Sequence, residues 1–314
     1  MPDQTGARAT LPAMSQGESA VSIRHSSGAL PLLTLLRDGV TEILSRRRLV
    51  RYLVSAEMKK RGSDTILGNL WWVLDPLLQM VVYVVFVTVI AKRPAPDYPL
   101  FIFAAILPWK WYSAVIGDAT NAVVRQDKLI RQIAFPKLVL PTATTTAGIV
   151  GFAWGLVPLF ALLLLHQGSA TTPSRLTIMV LWIPVIAAVQ FVFTLASAIL
   201  VSAANVYFRD LGNAVSHVLR LWWFLSPGLY SLASLENIGT IKDHPILGAL
   251  AAANPFAVLF EAYRAVIYGA PDGLSAPHPP DLVSLFYLLL GSLVFLAACV
   301  VFFKRVEPDF AKVL

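Results

Sequence analysis

The sequence predicts an all-α integral membrane protein. Six transmembrane helices are expected, with an N-terminal amphipathic helix along the membrane surface and a short re-entrant segment between spans five and six. Three observations carry this. Of 314 residues, 57% are hydrophobic and 14% charged, against roughly 25% charged in soluble domains, and the mean hydropathy is +0.68. The apolar residues gather into runs long enough for the 20 or so residues that cross about 30 Å of hydrocarbon. Finally, Lys and Arg fall mostly on one side of those runs.

Residues 1–30 are rich in Ser, Ala and Gly and lack the apolar core of a cleaved signal; they read as a disordered cytoplasmic tail. Residues 31–68 follow as an interfacial and gate region. There Leu36, Val40, Ile43, Val50, Val54 and Met58 share one helical stripe, interrupted by Arg47, while Arg46, Arg48 and Arg51 lie mostly off it and Lys59, Lys60 and Arg61 follow. An apolar stripe edged by cations suits a helix lying on an anionic inner leaflet. A soluble helix packed on a partner is the alternative.

Residues 69–314 form the six-helix domain. The runs 138–166, 176–208 and 282–303 carry no charge, and 69–91 carries only Asp75. The run 211–235 is a fifth span with His217 and Arg220 as its polar exceptions. The run 99–124 is weaker, because it contains Pro108, Lys110 and Asp118. Intramembrane ionisable groups generally face protein or water rather than lipid, so this run is kept as a span broken near Pro108. With both termini inside, 18 of the 25 Lys and Arg are cytoplasmic, whereas omitting the weak span would scatter them. After Asn254-Pro255, the run to Tyr268 is too short to cross and carries Glu261 and Arg264. It reads as a helix dipping in from the outer face, tolerated where it is buried in protein or faces water.

Several chemistries are excluded. There is no Gly-Lys pair, hence no P-loop cradle for nucleotide phosphates. Cys299 is the single cysteine, so no intrachain disulfide or thiolate metal site can form. The five histidines are scattered without ligand spacing, and no nucleophile elbow occurs. A pI near 9.6 is accounted for by cationic cytoplasmic loops rather than by a nucleic-acid partner. A membrane glycosyl or acyl transferase would have to work with Asp64, Asp75 and Asp118 as its nearby carboxylates, and these show no partner motif.

Aromatics are the richest functional feature. Trp71-Trp72, Trp109, Trp111-Tyr112 and Trp222-Trp223-Phe224 sit near span ends or beside the proline. They suit an interfacial belt, or equally a lining on which sugar rings stack their apolar C–H faces. The link Arg125–Pro136 is short and charged, with Leu129, Ile130 and Ile133 on one face and Arg125, Asp127, Lys128 and Arg131 elsewhere. It reads as a surface loop or as an amphipathic knob for a cytoplasmic partner.

Residues 50–314 resemble the membrane subunits of ABC-2-type polysaccharide exporters. The resemblance rests on Tyr98-Pro-Leu-Phe-Ile-Phe-Ala-Ala-Ile-Leu-Pro-Trp109, with Thr120-Asn121, Leu129-Ile130, Phe135-Pro136 and Leu140-Pro141. Supporting stretches are Ile66–Trp71 with Pro76-Leu77, Tyr207–Leu211 with Ser226-Pro227, Asn254-Pro255 with Glu261–Arg264, and Glu307–Ala311. Gly62-Ser63-Asp64 departs from the family, which places an aromatic and a basic residue there.

The resemblance implies a homodimer above two ATP-binding cassette subunits that hold ATP and Mg, with no cofactor in this chain. The cargo would be a lipid-linked polysaccharide, and the place a bacterial cytoplasmic membrane. It implies a coupling helix over Arg125 to Phe135, including Asp127, Lys128, Leu129, Ile130 and Arg131. It also implies outer gate helices around Asn254, Pro255, Glu261 and Arg264. A canal would be lined by the first and fifth spans, with Trp72, Tyr83, Trp223 and Tyr230 on them, and Trp109 counts among the canal residues as well. An exporter of a drug or lipid is the related alternative.

Overall fold

The structure is a computed structural model, and it describes residues 32–62, 67–90, 92, 96–132, 135–165, 174–231, 246, 248, 251, 253–270 and 275–314. The expected N-terminal tail and Gly62-Ser63-Asp64 lie, apart from the Gly62 backbone, outside the described residues. Everything below concerns the compact unit Leu32–Leu314.

Among the described residues the chain is helical throughout, with α1 Leu32–Ser45, α2 Arg47–Gly62, α3 Trp71–Val85, α4 Tyr98–Thr120, α5 Asp127–Gln132, α6 Val139–Leu165, α7 Ile183–Tyr207, α8 Leu211–Leu225, α9 Pro255–Ile267, α10 Leu282–Val306 and α11 Phe310–Val313. Five helices are long and apolar enough to cross a membrane: Trp71–Ile90, Tyr98–Thr120, Val139–Leu165, Ile178–Tyr207 and Leu282–Asp309. These are α3 with a widened π turn over Phe86–Ile90, then α4, α6, α7 with its leading 3-10 turn, and α10.

The span read as weakest is the centre of the bundle. Helix α4 packs against α3, α6, α7, α8 and α9, and Leu100, Ile102, Phe103, Ala104, Ala105 and Ile106 have no exposure at all. A helix enclosed by protein needs no uniformly apolar surface, which is why its composition looked poor for a span. Nor is it broken near Pro108. The helix runs unbroken from Tyr98 to Thr120 with the proline inside it. Proline removes one ladder bond, and a neighbour ties the helix at the proline's own carbonyl. Gln190 Nε2 donates to the Pro108 carbonyl at 2.8 Å and Gln190 Oε1 accepts from the Tyr263 hydroxyl at 3.1 Å.

The 25-residue span expected over residues 211–235 is shorter than read. Helix α8 ends at Leu225, followed by a turn through Ser226, Pro227 and Gly228. Residues 232–245 lie outside the described set. The apolar run continues past the turn, but Ser226 takes an extended backbone, with ψ 148°, the conformation that a following proline favours.

The end of the bundle where α1 meets α10 is tied together by charge and close packing. The amphipathic stripe forms two helices, α1 and α2, that meet at Arg46. Leu36, Ile43 and Leu53 pack on a second apolar cluster with Cys299, Val300, Phe303 and Phe310. Gly39 lets α1 approach α10 closely, since a Cβ there would meet Val300 at 2.7 Å. Lys304 Nζ, 13% exposed, pairs with Glu42 of α1 and with Glu307 at 2.9 Å. Leu33, Val40 and Leu44 of α1 stay exposed.

Candidate functional site

Trp109 on α4 anchors an aromatic cluster that joins α3, α8 and α9. Its ring lies 5.5 Å from Trp223, 6.3 Å from Trp222 and 4.9 Å from Phe256, centroid to centroid. Tyr83 of α3 stacks on Trp223 at 5.8 Å. Trp109 and Trp223 are therefore inside the subunit, at 5% and 3% exposure. Tyr83 and Tyr230 are half-buried, and the Tyr230 hydroxyl donates to the Phe224 carbonyl at 3.3 Å.

Trp72, also half-buried, lies elsewhere. It lines a lateral cleft of about 260 Å³ between α3, α4 and α6, with Trp71, Asp75, Lys110, Trp111 and a glycine floor at Gly148, Gly151 and Gly155. A Cβ on Gly151 would meet the Trp72 ring at 3.0 Å. Asp75 and Lys110, two separate intramembrane charges in the sequence, form an ion pair at 2.7 Å here. One opposite charge on each of two spans was the available hint, since such groups tend to pair.

One end of the site is built from α9. Asn254 caps it, accepting from the Phe256 N–H at 3.0 Å, as Asx residues do at helix starts. The same side chain accepts from Trp222 Nε1 at 3.2 Å and donates to Ser226 Oγ at 2.9 Å, joining α9 to the end of α8. Pro255 occupies the first turn, where its missing N–H costs nothing. Arg264, 2% exposed, donates to the carbonyls of Pro227 at 2.7 Å, Gly228, and Tyr230 at 3.1 Å. Its guanidinium lies 3.7 Å from the centre of the Phe101 ring, and Glu261 is 3.5 Å away.

Two contacts fix the depth of α9. Phe256 lies against Trp109 and Tyr112, halfway along α4, while Tyr268 reaches Phe101 and the Pro96 carbonyl at the start of α4. The helix thus starts mid-bundle and climbs to one end of it. A second clamp sits at that end. Arg175, fully buried, pairs with Asp97 at 3.1 Å and donates to the carbonyls of Tyr268 and Ser275. Nothing in the residue pattern points to this clamp, because Arg175 reads as an ordinary loop cation.

At the opposite end the expected coupling helix is shorter than Arg125 to Phe135. A 3-10 turn spans Val124–Gln126, the α-helix spans Asp127–Gln132, and Phe135 lies outside it. Ile130 is 5% exposed and packs in the second cluster with Phe310 and Leu314, with Phe135 half-buried against it. Arg125, Lys128 and Arg131 are exposed, and Asp127 is partly so. The Leu129 side chain lies outside the described set.

Scanned against models of protein families, the chain matches none. It is 34% identical over 273 residues to the O-antigen export system permease protein RfbA of Myxococcus xanthus, covering 87% of this chain and 98% of that protein. This chain belongs to that permease family. A second relative, O-antigen export system permease protein RfbA of Klebsiella pneumoniae, is 26% identical over 184 residues, or 58% of this chain and 69% of its own. The permease is thus a multi-pass membrane protein.

Proposed function

We propose that this permease is the transmembrane half of an ATP-driven exporter that moves a lipid-linked polysaccharide outward across the bacterial cytoplasmic membrane. The identity to an O-antigen export permease over 98% of that relative's length carries the reading. Two copies pair, and two separate ATPase subunits bind ATP and Mg beneath them. Helix α8 with the segment beyond it makes a sixth crossing, both termini are cytoplasmic, and α9 is the rising limb of a re-entrant outer gate. The exposed cations Arg125, Lys128 and Arg131 suit an acidic cleft on the ATPase, while Ile130 and Phe135 hold α5 to its own subunit.

The canal runs between the copies along α3 and α8. Tyr83 and Tyr230, both partly open, suit its wall, Trp109 with Trp223 backs that wall from inside the subunit, and Trp72 stands apart in the cleft beside α6. Aromatic faces tolerate a sliding cargo because no single register is required. Binding at each step must stay weak enough for the cargo to leave.

Deleting the gene should leave the glycan accumulating in the cytoplasm and missing from the cell surface, with full restoration by the intact gene. Unchanged surface glycan in the deletion strain would overturn the export reading.

A further inference from the structure

Helix α8 divides into three faces. Val215, Leu219, Trp222 and Trp223 pack toward α4 and the core, and Val218, Leu221 and Leu225 are exposed and apolar. Between these, Asn213, Ser216, His217 and Arg220 are exposed. At 100° per residue they fall within an arc of about 100°. The charges inside the neighbouring span α4 include Lys110, which is matched by Asp75 of α3, so an unmatched polar stripe here is a departure that asks for a partner.

Its depth follows from contacts. Gly212 lies beside Asn121, since a Cβ there would be 3.8 Å from Asn121 Nδ2. Trp222 packs on Tyr112 at 5.7 Å and Trp223 on Trp109 at 5.5 Å. The antiparallel register these contacts set brings Arg220 beside Ser113, which is seven residues, or roughly 10 Å, inside the end of α4. Lys110 stands one turn further along α4, with its charge already matched by Asp75.

Arg220 differs from the other two arginines set among the helices. Arg175 and Arg264 are each clamped by carbonyls and a carboxylate. Among the described residues neither Arg220 nor His217 has a hydrogen bond or ion pair. A guanidinium at that depth is stable beside water or an anion, not beside lipid tails. Arg220 and His217, one turn apart, together with the Ser216 hydroxyl and Asn213 amide, offer a row of donors suited to a tetrahedral oxyanion.

We propose that Arg220 and His217 form a phosphoryl-binding step on the export path, which meets the phosphoryl group joining lipid to glycan. The inference rests on the export reading for the identity of the cargo; the anion site itself does not. The stripe would hold the charged junction while neutral sugars slide over aromatic rings.

The test uses the purified full-length permease in phosphatidylcholine nanodiscs and measures binding of dodecyl phosphate by quenching of tryptophan fluorescence. Laurate and dodecanol serve as carboxylate and uncharged controls. Arg220→Gln should weaken dodecyl phosphate binding about tenfold or more, the loss expected for a charge-assisted bond. Arg220→Lys should weaken it less, and dodecanol should be unaffected. Binding within twofold of the parent in a folded Arg220→Gln variant would overturn the site. Equal, Arg220-dependent binding of laurate would overturn the phosphoryl assignment. Loss of binding in phosphatidylglycerol nanodiscs would assign the site to bulk lipid headgroups and overturn the cargo assignment. Folding of each variant is read by size-exclusion chromatography; if Arg220→Gln does not fold, Arg220→Lys and His217→Gln carry the comparison, and unchanged binding in both overturns the site. Because no step measures export, failure of the export reading and failure of this site would be seen separately.

Discussion

Arg264 shows what one side chain does when no water is at hand. The turn after α8 leaves the carbonyls of Pro227, Gly228 and Tyr230 without helical donors, and one guanidinium serves all three. Five N–H donors in a planar fork allow this; a lysine ammonium cannot span the same set. Replacing Arg264 with Leu should strand these acceptors and the nearby Glu261 carboxylate, at a cost of about 3–5 kcal/mol. The expected result is loss of the monodisperse peak in detergent, with Arg264→Lys giving only partial recovery. A Leu variant with an unchanged thermal midpoint would show that the clamp is not needed. Gly269 makes a smaller test at the same end. Its φ is +96°, and a Cβ would fall 2.3 Å from the Ser275 carbonyl oxygen, so Gly269→Ala should lower the thermal midpoint through strain and clash together.

At the scale of elements, some features were legible in the sequence and others were not, for physical reasons. The runs over 69–91, 138–166, 176–208 and 282–303 announced themselves because a lipid-facing helix has no alternative to length and apolarity. Helix α4 was underrated because a helix enclosed by other helices carries Lys110, Pro108 and aromatics at no penalty. Its neighbours, not its own sequence, satisfy it. The true end of α8 was hidden because hydropathy continues past Pro227 while hydrogen bonding does not. Trp109 and Trp223 looked like lining residues because composition cannot tell which face of a helix meets its own subunit.

Helix α5 revises one expectation in the same way. Ile130 points into the cluster with Phe310 and Leu314, so Ile130→Asp should destabilise the permease itself by several kcal/mol and lower its own thermal midpoint. Lys128→Glu with Arg131→Glu should leave that midpoint alone and weaken capture of the ATPase subunit. Equal loss of stability in both variants would remove the two-faced reading of α5. The link from α1 to α10 can be probed by charge exchange. Lys304→Glu gathers three carboxylates at Glu42, position 304 and Glu307, and should speed trypsin cleavage at Arg46-Arg47-Arg48. Adding Glu42→Lys should slow it again. No change in cleavage for either variant would show that the ion pair does not hold α1 in place.

Taken whole, the molecule is a bundle around α4. A clamp at one end is built from Arg175 and Arg264, a tie at the other from Glu42, Lys304 and Glu307, and a polar face lies along α8. On the proposed export reading, energy from the partner ATPase arrives at the end where α5, α1 and the C-terminal helix meet in one cluster. The permease alone should accordingly show no ATP binding in the micromolar range by equilibrium dialysis. The central claim is tested most directly by reconstituting the permease with its ATPase subunit in proteoliposomes and following lipid-linked polysaccharide across the bilayer. The account predicts translocation that requires ATP, the ATPase and this chain together. Translocation at the same rate with this chain omitted, or without ATP, would contradict it.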